Sequence, residues 1–211
     1  MTFDPAVYWA KRHREFAASE RAIEHLGKSE EQALEASARY QQVFAELLDI
    51  PEMVAWRSIS PRSALDLGAG IGRLSQPLRD AGYDYLGVEV SAIAAARASE
   101  AYPGVRMQVC DLRDFRSKEK FDLIVCSYVL VHVIEDADWH DVLRNIASML
   151  KSDGRFILID ELDQATARPV DHVALRHRSD YETALQALDL RFNGLTTEFR
   201  RLHRHYHLVS R

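Results

Sequence analysis

The stretch Ala64-Leu65-Asp66-Leu67-Gly68-Ala69-Gly70-Ile71-Gly72-Arg73-Leu74-Ser75 decides the fold. An apolar run that breaks into glycines at alternate positions reads as a buried strand entering a tight loop, with a helix behind it. Glycines there let the backbone pass within contact distance of a ligand, and the first N–H groups of the following helix aim at the same spot. The turn therefore reads as a binding site. Its spacing is G-x-G-x-G and not the G-x-G-x-x-G of a dinucleotide fingerprint, and Asp66 stands two positions before the first glycine. A carboxylate there repels a pyrophosphate and attracts a ligand that bears an ammonium group.

The rhythm continues outward from that loop. Apolar runs and periodic segments predict strands over 64–67, 85–89, 105–110, 121–126 and 156–160, with helices over 74–81, 92–100 and 139–150. Alternation of this kind implies an α/β fold with a parallel sheet covered on both faces. The connection from Leu112 to Lys120 is too short for a crossover helix and reads as one turn or a loop. After Asp160 come a polar loop and a helix from about Asp180 to Leu188. Two β-rich stretches follow, Leu190 to Phe199 and Arg204 to Val209, and with only Arg200 to His203 between them they should pair as an antiparallel hairpin. Upstream, Leu34, Ala38, Val43, Phe44, Leu47 and Leu48 keep a helical period, so two or three helices fill the first sixty residues. The expected division is a helical cap over 1–61 and a sheet domain over 62–211.

Two more predicted strands end in acids. Tyr85-Leu86-Gly87-Val88-Glu89-Val90 places a carboxylate where a ribose diol would be accepted, and Cys110-Asp111-Leu112 brings another to the same sheet edge, within reach of an adenine amine. Asp66, Glu89 and Asp111 thus match an amino-acid ammonium, a ribose and an adenine amine in order.

With ALDLGAGIGRLS, YLGVEVS, VCDLRDF, FDLIVCSYVLVHV and LKSDGRFILID in place, residues 62 to 160 resemble the class I S-adenosylmethionine-dependent methyltransferases. The resemblance implies a Rossmann-like three-layer sandwich whose seven-stranded, mostly parallel sheet has the order 3-2-1-4-5-7-6, the last strand antiparallel. It also implies S-adenosyl-L-methionine as cofactor and S-adenosyl-L-homocysteine as product. Gly68, Ala69, Gly70 and Gly72 would lie along the methionyl part, Glu89 on the ribose, Val90 and Leu112 on the adenine ring and its edge, and Asp111 on the adenine amine. Ser127 and Tyr128 belong to the loop that in this family lies under the sulfonium, its main-chain carbonyls holding the ammonium.

That loop carries neither the Asn/Asp-Pro-Pro-Tyr/Phe pattern of nucleic-acid amine methyltransferases nor the Pro-Cys of cytosine C5 enzymes. His132 has two readings, a general base for a hydroxyl nucleophile or a packing residue beside the cofactor. Tyr8 and Arg12 stand at i and i+4 of one helix, where Arg12 either reaches the methionyl carboxylate or lies in solvent; Tyr40 is a second aromatic candidate for the cofactor. The segment from Gln164 to Tyr181 holds His172, Arg176, His177, Arg178 and Tyr181, and reads either as a solvated loop or as an acceptor-facing wall with His172 as a further base. Asp160, Glu161 and Asp163 invite a metal, but metal-dependent relatives need an acid at the end of the fourth strand, where Cys126 and Ser127 stand; no metal is expected.

Composition bounds the rest. The 211 residues are 47% hydrophobic and 28% charged, and 27 basic against 32 acidic side chains give −5. No global basic field favours nucleic acid or acidic lipid. The charge is uneven, because residues 161–211 hold 8 Arg and no Lys against 7 acids and five of the nine histidines. No signal-type start or membrane-length apolar run is apparent, and Cys110 and Cys126 read as reduced, buried packing residues, so a cytoplasmic protein is expected. The expected reaction is methyl transfer to a hydroxyl oxygen of a small-molecule or saccharide acceptor. The alternatives are an amine or carboxyl acceptor, an NAD(P)-dependent oxidoreductase or epimerase, and a non-catalytic cofactor-binding module.

Overall fold

The computed structural model describes residues 3–16, 20–22, 27–57, 62–193, 195, 199 and 203–211. In chain order the helices and strands are α1 (Pro5–Glu15), α2 (Glu30–Leu48), α3 (Pro51–Arg57), β1 (Arg62–Leu67), α4 (Ser75–Asp80), β2 (Tyr83–Glu89), α5 (Ala92–Ala101), β3 (Arg106–Val109), β4 (Phe121–Ser127), α6 (Asp136–Met149), β5 (Leu150–Ile159), β6 (Ala167–Val170), β7 (Val173–Leu175), α7 (Arg178–Gln186), β8 (Arg191–Asn193) and β9 (Tyr206–Ser210). Seven strands form a mixed sheet in the order β3-β2-β1-β4-β5-β9-β8, while β6 and β7 make a separate two-stranded sheet. The β1–β2, β2–β3 and β4–β5 ladders are parallel, and β9 runs antiparallel to both β5 and β8. This is the strand order expected of the Rossmann-like three-layer sandwich. The chain divides into two compact units, Asp4–Asp111 and Leu112–Arg211 with Phe3.

In the first unit, local chemistry sets the helix ends. Asp4 caps α1 by accepting the Val7 N–H at 3.1 Å, Pro5 occupies the first turn, and Arg12, His13 and Arg14 face the negative end of the helix dipole. Ser29 and Gln32 form a capping box at α2. β1 is buried along nearly its whole length, and Leu65 and Leu67 are fully enclosed, each contributing roughly 1.5–3 kcal/mol of burial. The edge strand β3 is different: it is mostly exposed and only four residues long. Cys110 after it is half-exposed, which corrects the expectation of two buried cysteines; an edge strand has a neighbour on one side only.

In the second unit, α6 begins at Asp136, three residues before the apolar pattern suggests, because Asp136 and Asp138 favour the positive end of its dipole. The segment expected as a loop over 164–181 holds the β6–β7 hairpin, whose tip is Asp171–His172, and then α7, capped reciprocally by His177 and Asp180. The antiparallel C-terminal pair forms between Arg191–Asn193 and β9. Residues 194, 196–198 and 200–202 of that expected hairpin lie outside the described residues. Among the described residues no helix is long and apolar enough to cross a membrane.

Candidate functional site

The glycine loop takes shape from backbone conformations that side chains resist. Gly68, Gly70 and Gly72 have φ of 71°, 56° and 82°, in the left-handed region. Gly68 and Ala69 both donate their N–H to the Val88 carbonyl, at 2.8 and 3.0 Å, which folds the loop back over the end of β2. A side chain at Gly72 would lie 3.0 Å from the Ala98 Cβ, so glycine here and alanine on α5 allow the close approach. The helix that follows, expected over 74–81, runs from Ser75 to Asp80.

The β1–β2 register places three side chains together. Asp66 sits beside Gly87, and Tyr85 and Glu89 flank Gly87 at i±2 on the same face. The Tyr85 hydroxyl donates to Asp66 Oδ2 at 3.0 Å. Glu89 Oε2 accepts the Gly70 N–H at 2.9 Å and Oε1 accepts the Ser91 N–H at 2.8 Å, so this carboxylate also ties the glycine loop to β2. Burial raises the Asp66 pKa to about 7, against the opposing pull of the Tyr85 hydrogen bond. Glu89 is raised as well, by burial, with the N–H groups of Ser91, Gly70 and Val90 acting the other way.

The N-terminal candidates lie in the same unit. Arg12 donates to the Tyr8 hydroxyl at 3.4 Å and stands over the Trp9 ring at 5.2 Å, so the i, i+4 pair is formed and Arg12 is only half-exposed. Tyr40 receives the Arg73 guanidinium over its ring at 4.6 Å, and its neighbour Gln41 donates to the Arg73 carbonyl at 2.9 Å. Val90 and Asp111 are half-buried at the ends of β2 and β3.

In the second unit Leu112 is buried and Ser127 closes β4. Tyr128 has φ 53°, its N–H held by the Ile159 carbonyl at 2.8 Å, with its ring 6.2 Å from that of His205. A left-handed tyrosine stores roughly 1–2 kcal/mol of strain, and such strain gathers at functional loops. His132, half-buried in a single 3₁₀ turn, contacts the His172 carbonyl through Nδ1 at 2.6 Å, and the two imidazoles stack with centroids 6.0 Å apart. A carbonyl only accepts, so Nδ1 carries a proton, which in the neutral imidazole puts the lone pair on Nε2.

Sequence reasoning missed several of these partners. Arg168 and Arg176 both donate to the Ile134 carbonyl, at 2.8 and 3.2 Å, and Arg176 pairs with Asp136 at 2.9 Å; these arginines pin the segment after His132. Asp160 is buried, accepts from Tyr181 at 3.3 Å and from the Glu161 N–H at 2.8 Å, and has its pKa raised to about 6, mainly by burial. Tyr85 was missed as well, although the sequence carries a signal for it: it shares the face of Glu89 at i+4, and Gly87 between them leaves room for its hydroxyl.

The donor set suits a cationic cofactor. Asp66 and Glu89 are 2% and 6% exposed, and among the described residues neither makes an ion pair. A ligand ammonium would supply the missing countercharge at Asp66.

Residues 65–156 match a family described as a methyltransferase domain. The chain is 27% identical over 173 residues to nodulation protein S of Bradyrhizobium diazoefficiens, covering 81% of this chain and 76% of that protein. It is 36% identical over 94 residues to the ubiquinone biosynthesis O-methyltransferase of Nitrobacter winogradskyi, covering 43% of this chain and 35% of that one. Among solved structures, the sugar N-methyltransferase KedS8 from Streptoalloteichus superposes with a TM-score of 0.65 at 19% identity, over 89% of this chain and 94% of the other.

Proposed function

We propose that the chain is a class I S-adenosylmethionine-dependent methyltransferase and that it methylates a hydroxyl oxygen of a small-molecule or saccharide acceptor, with His132 as the base. The observation that supports this reading is the His132 Nδ1 contact with the His172 carbonyl at 2.6 Å, which favours the neutral tautomer with its lone pair on Nε2. A hydroxyl must lose its proton as it attacks carbon, and an imidazole near neutrality is suited to take it.

When bound, the cofactor supplies an electrophilic methyl group on sulfur. The rest is the chain's own contribution. Asp66 would neutralise the ammonium, Gly68, Ala69, Gly70 and Gly72 would lie along the methionyl chain, and Glu89 would accept from the ribose while keeping Gly70 in place. Val90, Asp111 and Leu112 would receive the adenine, and Ser127 and Tyr128 would offer main-chain oxygens. Tyr8, Arg12 and Tyr40 belong to the helical segment over 1–61, which we assign as a cap, with Arg12 for the methionyl carboxylate. In displacement chemistry most of the rate comes from such positioning, and the base contributes roughly 10²–10⁴.

An amine acceptor is the second reading. It is favoured by a cavity of about 180 Å³ in the second unit, lined by Asp160, Glu161, Leu162, Asp163, Gln164, Arg204 and His205, whose three acids suit a cation. A panel of hydroxyl and amine acceptors, tested with wild type and His132→Ala, separates the two. Under the proposal the variant loses at least about a hundredfold in kcat on a hydroxyl substrate. If the best substrate is an amine and His132→Ala leaves its turnover intact, the hydroxyl reading fails.

A further inference from the structure

We propose that Tyr85 is a positioning residue for the cofactor: its hydroxyl, reaching past the side-chain-free Gly87, donates to Asp66 and holds that carboxylate aimed for the ammonium. The inference rests on the assignment of Asp66 to the ammonium and adds a residue that the binding motif does not contain.

The geometry leaves little latitude. Asp66 and Gly87 are register partners in the parallel β1–β2 ladder, and Tyr85 precedes Gly87 by two residues on the same face. A Cβ on residue 87 would stand 2.8 Å from the Tyr85 oxygen, 2.6 Å from Met107 Sδ and 3.0 Å from the Ala69 Cβ. Any side chain there would push the hydroxyl off Asp66 or press on the glycine loop. Tyr85 is 3% exposed and Asp66 2%, so the 3.0 Å hydrogen bond between them is made out of water. In such surroundings a phenol that donates to a carboxylate favours its charged form.

The groups that face Asp66 set its balance. Burial and the Glu89 carboxylate on β2 raise its pKa, while the Tyr85 hydroxyl and the Arg73 guanidinium from the turn before α4 lower it, to a net value of about 7. Tyr85 keeps its proton, because burial and the charge of Asp66 raise its own pKa, with Glu89 and Tyr102 adding to that. It therefore stays a donor wherever the protein is folded. Without that donor Asp66 would hold its proton at physiological pH and present a neutral carboxyl to the ammonium.

The test is calorimetric titration of S-adenosylhomocysteine into wild type, Tyr85→Phe and Asp66→Asn between pH 6 and pH 9. A parallel ¹³C-carboxyl NMR titration of Asp66 in the ligand-free protein gives a readout independent of binding. The wild-type to Tyr85→Phe affinity ratio cancels the ligand's own ionisation. A shift of about one pKa unit would leave the variant about fivefold weaker near pH 7 and equal to wild type near pH 9, with the Asp66 titration moved up by the same unit. An affinity ratio that is flat with pH, at one or at any other value, overturns the proposal, because lost packing weakens binding at every pH. If Asp66→Asn binds as tightly as wild type, the premise about Asp66 fails and takes the proposal with it. Tyr85→Phe with unchanged Asp66 titration, beside an Asp66→Asn protein that no longer binds, refutes the role of Tyr85 alone.

Discussion

His132 and His172 are joined side chain to main chain: the imidazole Nδ1 of one lies 2.6 Å from the carbonyl oxygen of the other, at the tip of the β6–β7 hairpin. The hairpin therefore presents a backbone acceptor, and the side chain of residue 172 is incidental to the tautomer. His172→Ala should keep kcat within about threefold of wild type, whereas shortening the tip to remove residue 172 should cost roughly as much as losing the base, 10² or more. Steady-state kinetics on both variants check this. A His172→Ala protein as impaired as the shortened one would make the His172 ring a participant.

Tyr128 holds φ 53° at the end of β4. Glycine adopts that conformation without penalty and keeps the main-chain oxygen, so Tyr128→Gly should raise stability by about 1 kcal/mol in denaturant unfolding. A destabilised variant would show that the ring's packing outweighs the backbone strain.

Protonation pulls stability in two directions. Asp66 and Asp160, with pKa values pushed up to about 7 and 6, keep protons in the folded state that the unfolded chain has released, so their contribution to stability falls as pH rises from about 4 to 7. His13 and His207 are lowered to about 4, chiefly by burial; the folded state refuses protons that the unfolded chain takes up, so their contribution rises with pH between about 4 and 6.5. Asp66→Asn removes one falling contribution, worth up to about 4 kcal/mol. Thermal melts at pH 5 and pH 8 should therefore show the variant gaining relative to wild type at the higher pH. Parallel pH dependence in the two proteins would mean that Asp66 ionises freely in the fold.

The sheet was legible because its strands are buried runs with glycine or acid endings, a pattern that the chain repeats from Ala64 to Asp160. Asp66 and Glu89 were legible for the same reason, as polar residues that close apolar runs. The β6–β7 hairpin was not: Ala167–Val170 is exposed throughout and carries no alternating apolar signal. The bonds from Arg168 and Arg176 to Ile134 were also hidden, since they span 34 and 42 residues and end on a backbone carbonyl, which leaves no mark on residue type. Two arginines of the segment read as either a solvated loop or an acceptor-facing wall, Arg168 and Arg176, hold the stretch that follows His132.

Transfer of the methyl group to oxygen is the step on which the proposed function rests. Incubation with S-adenosylmethionine labelled with ¹³C at the methyl, against a panel of hydroxylated and amino-bearing small molecules and saccharides, tests it most directly, because the carbon shift of the transferred methyl separates methoxy from N-methyl. A methoxy signal that depends on His132 is expected. An N-methyl signal, or a methoxy signal that persists undiminished in His132→Ala, would contradict it.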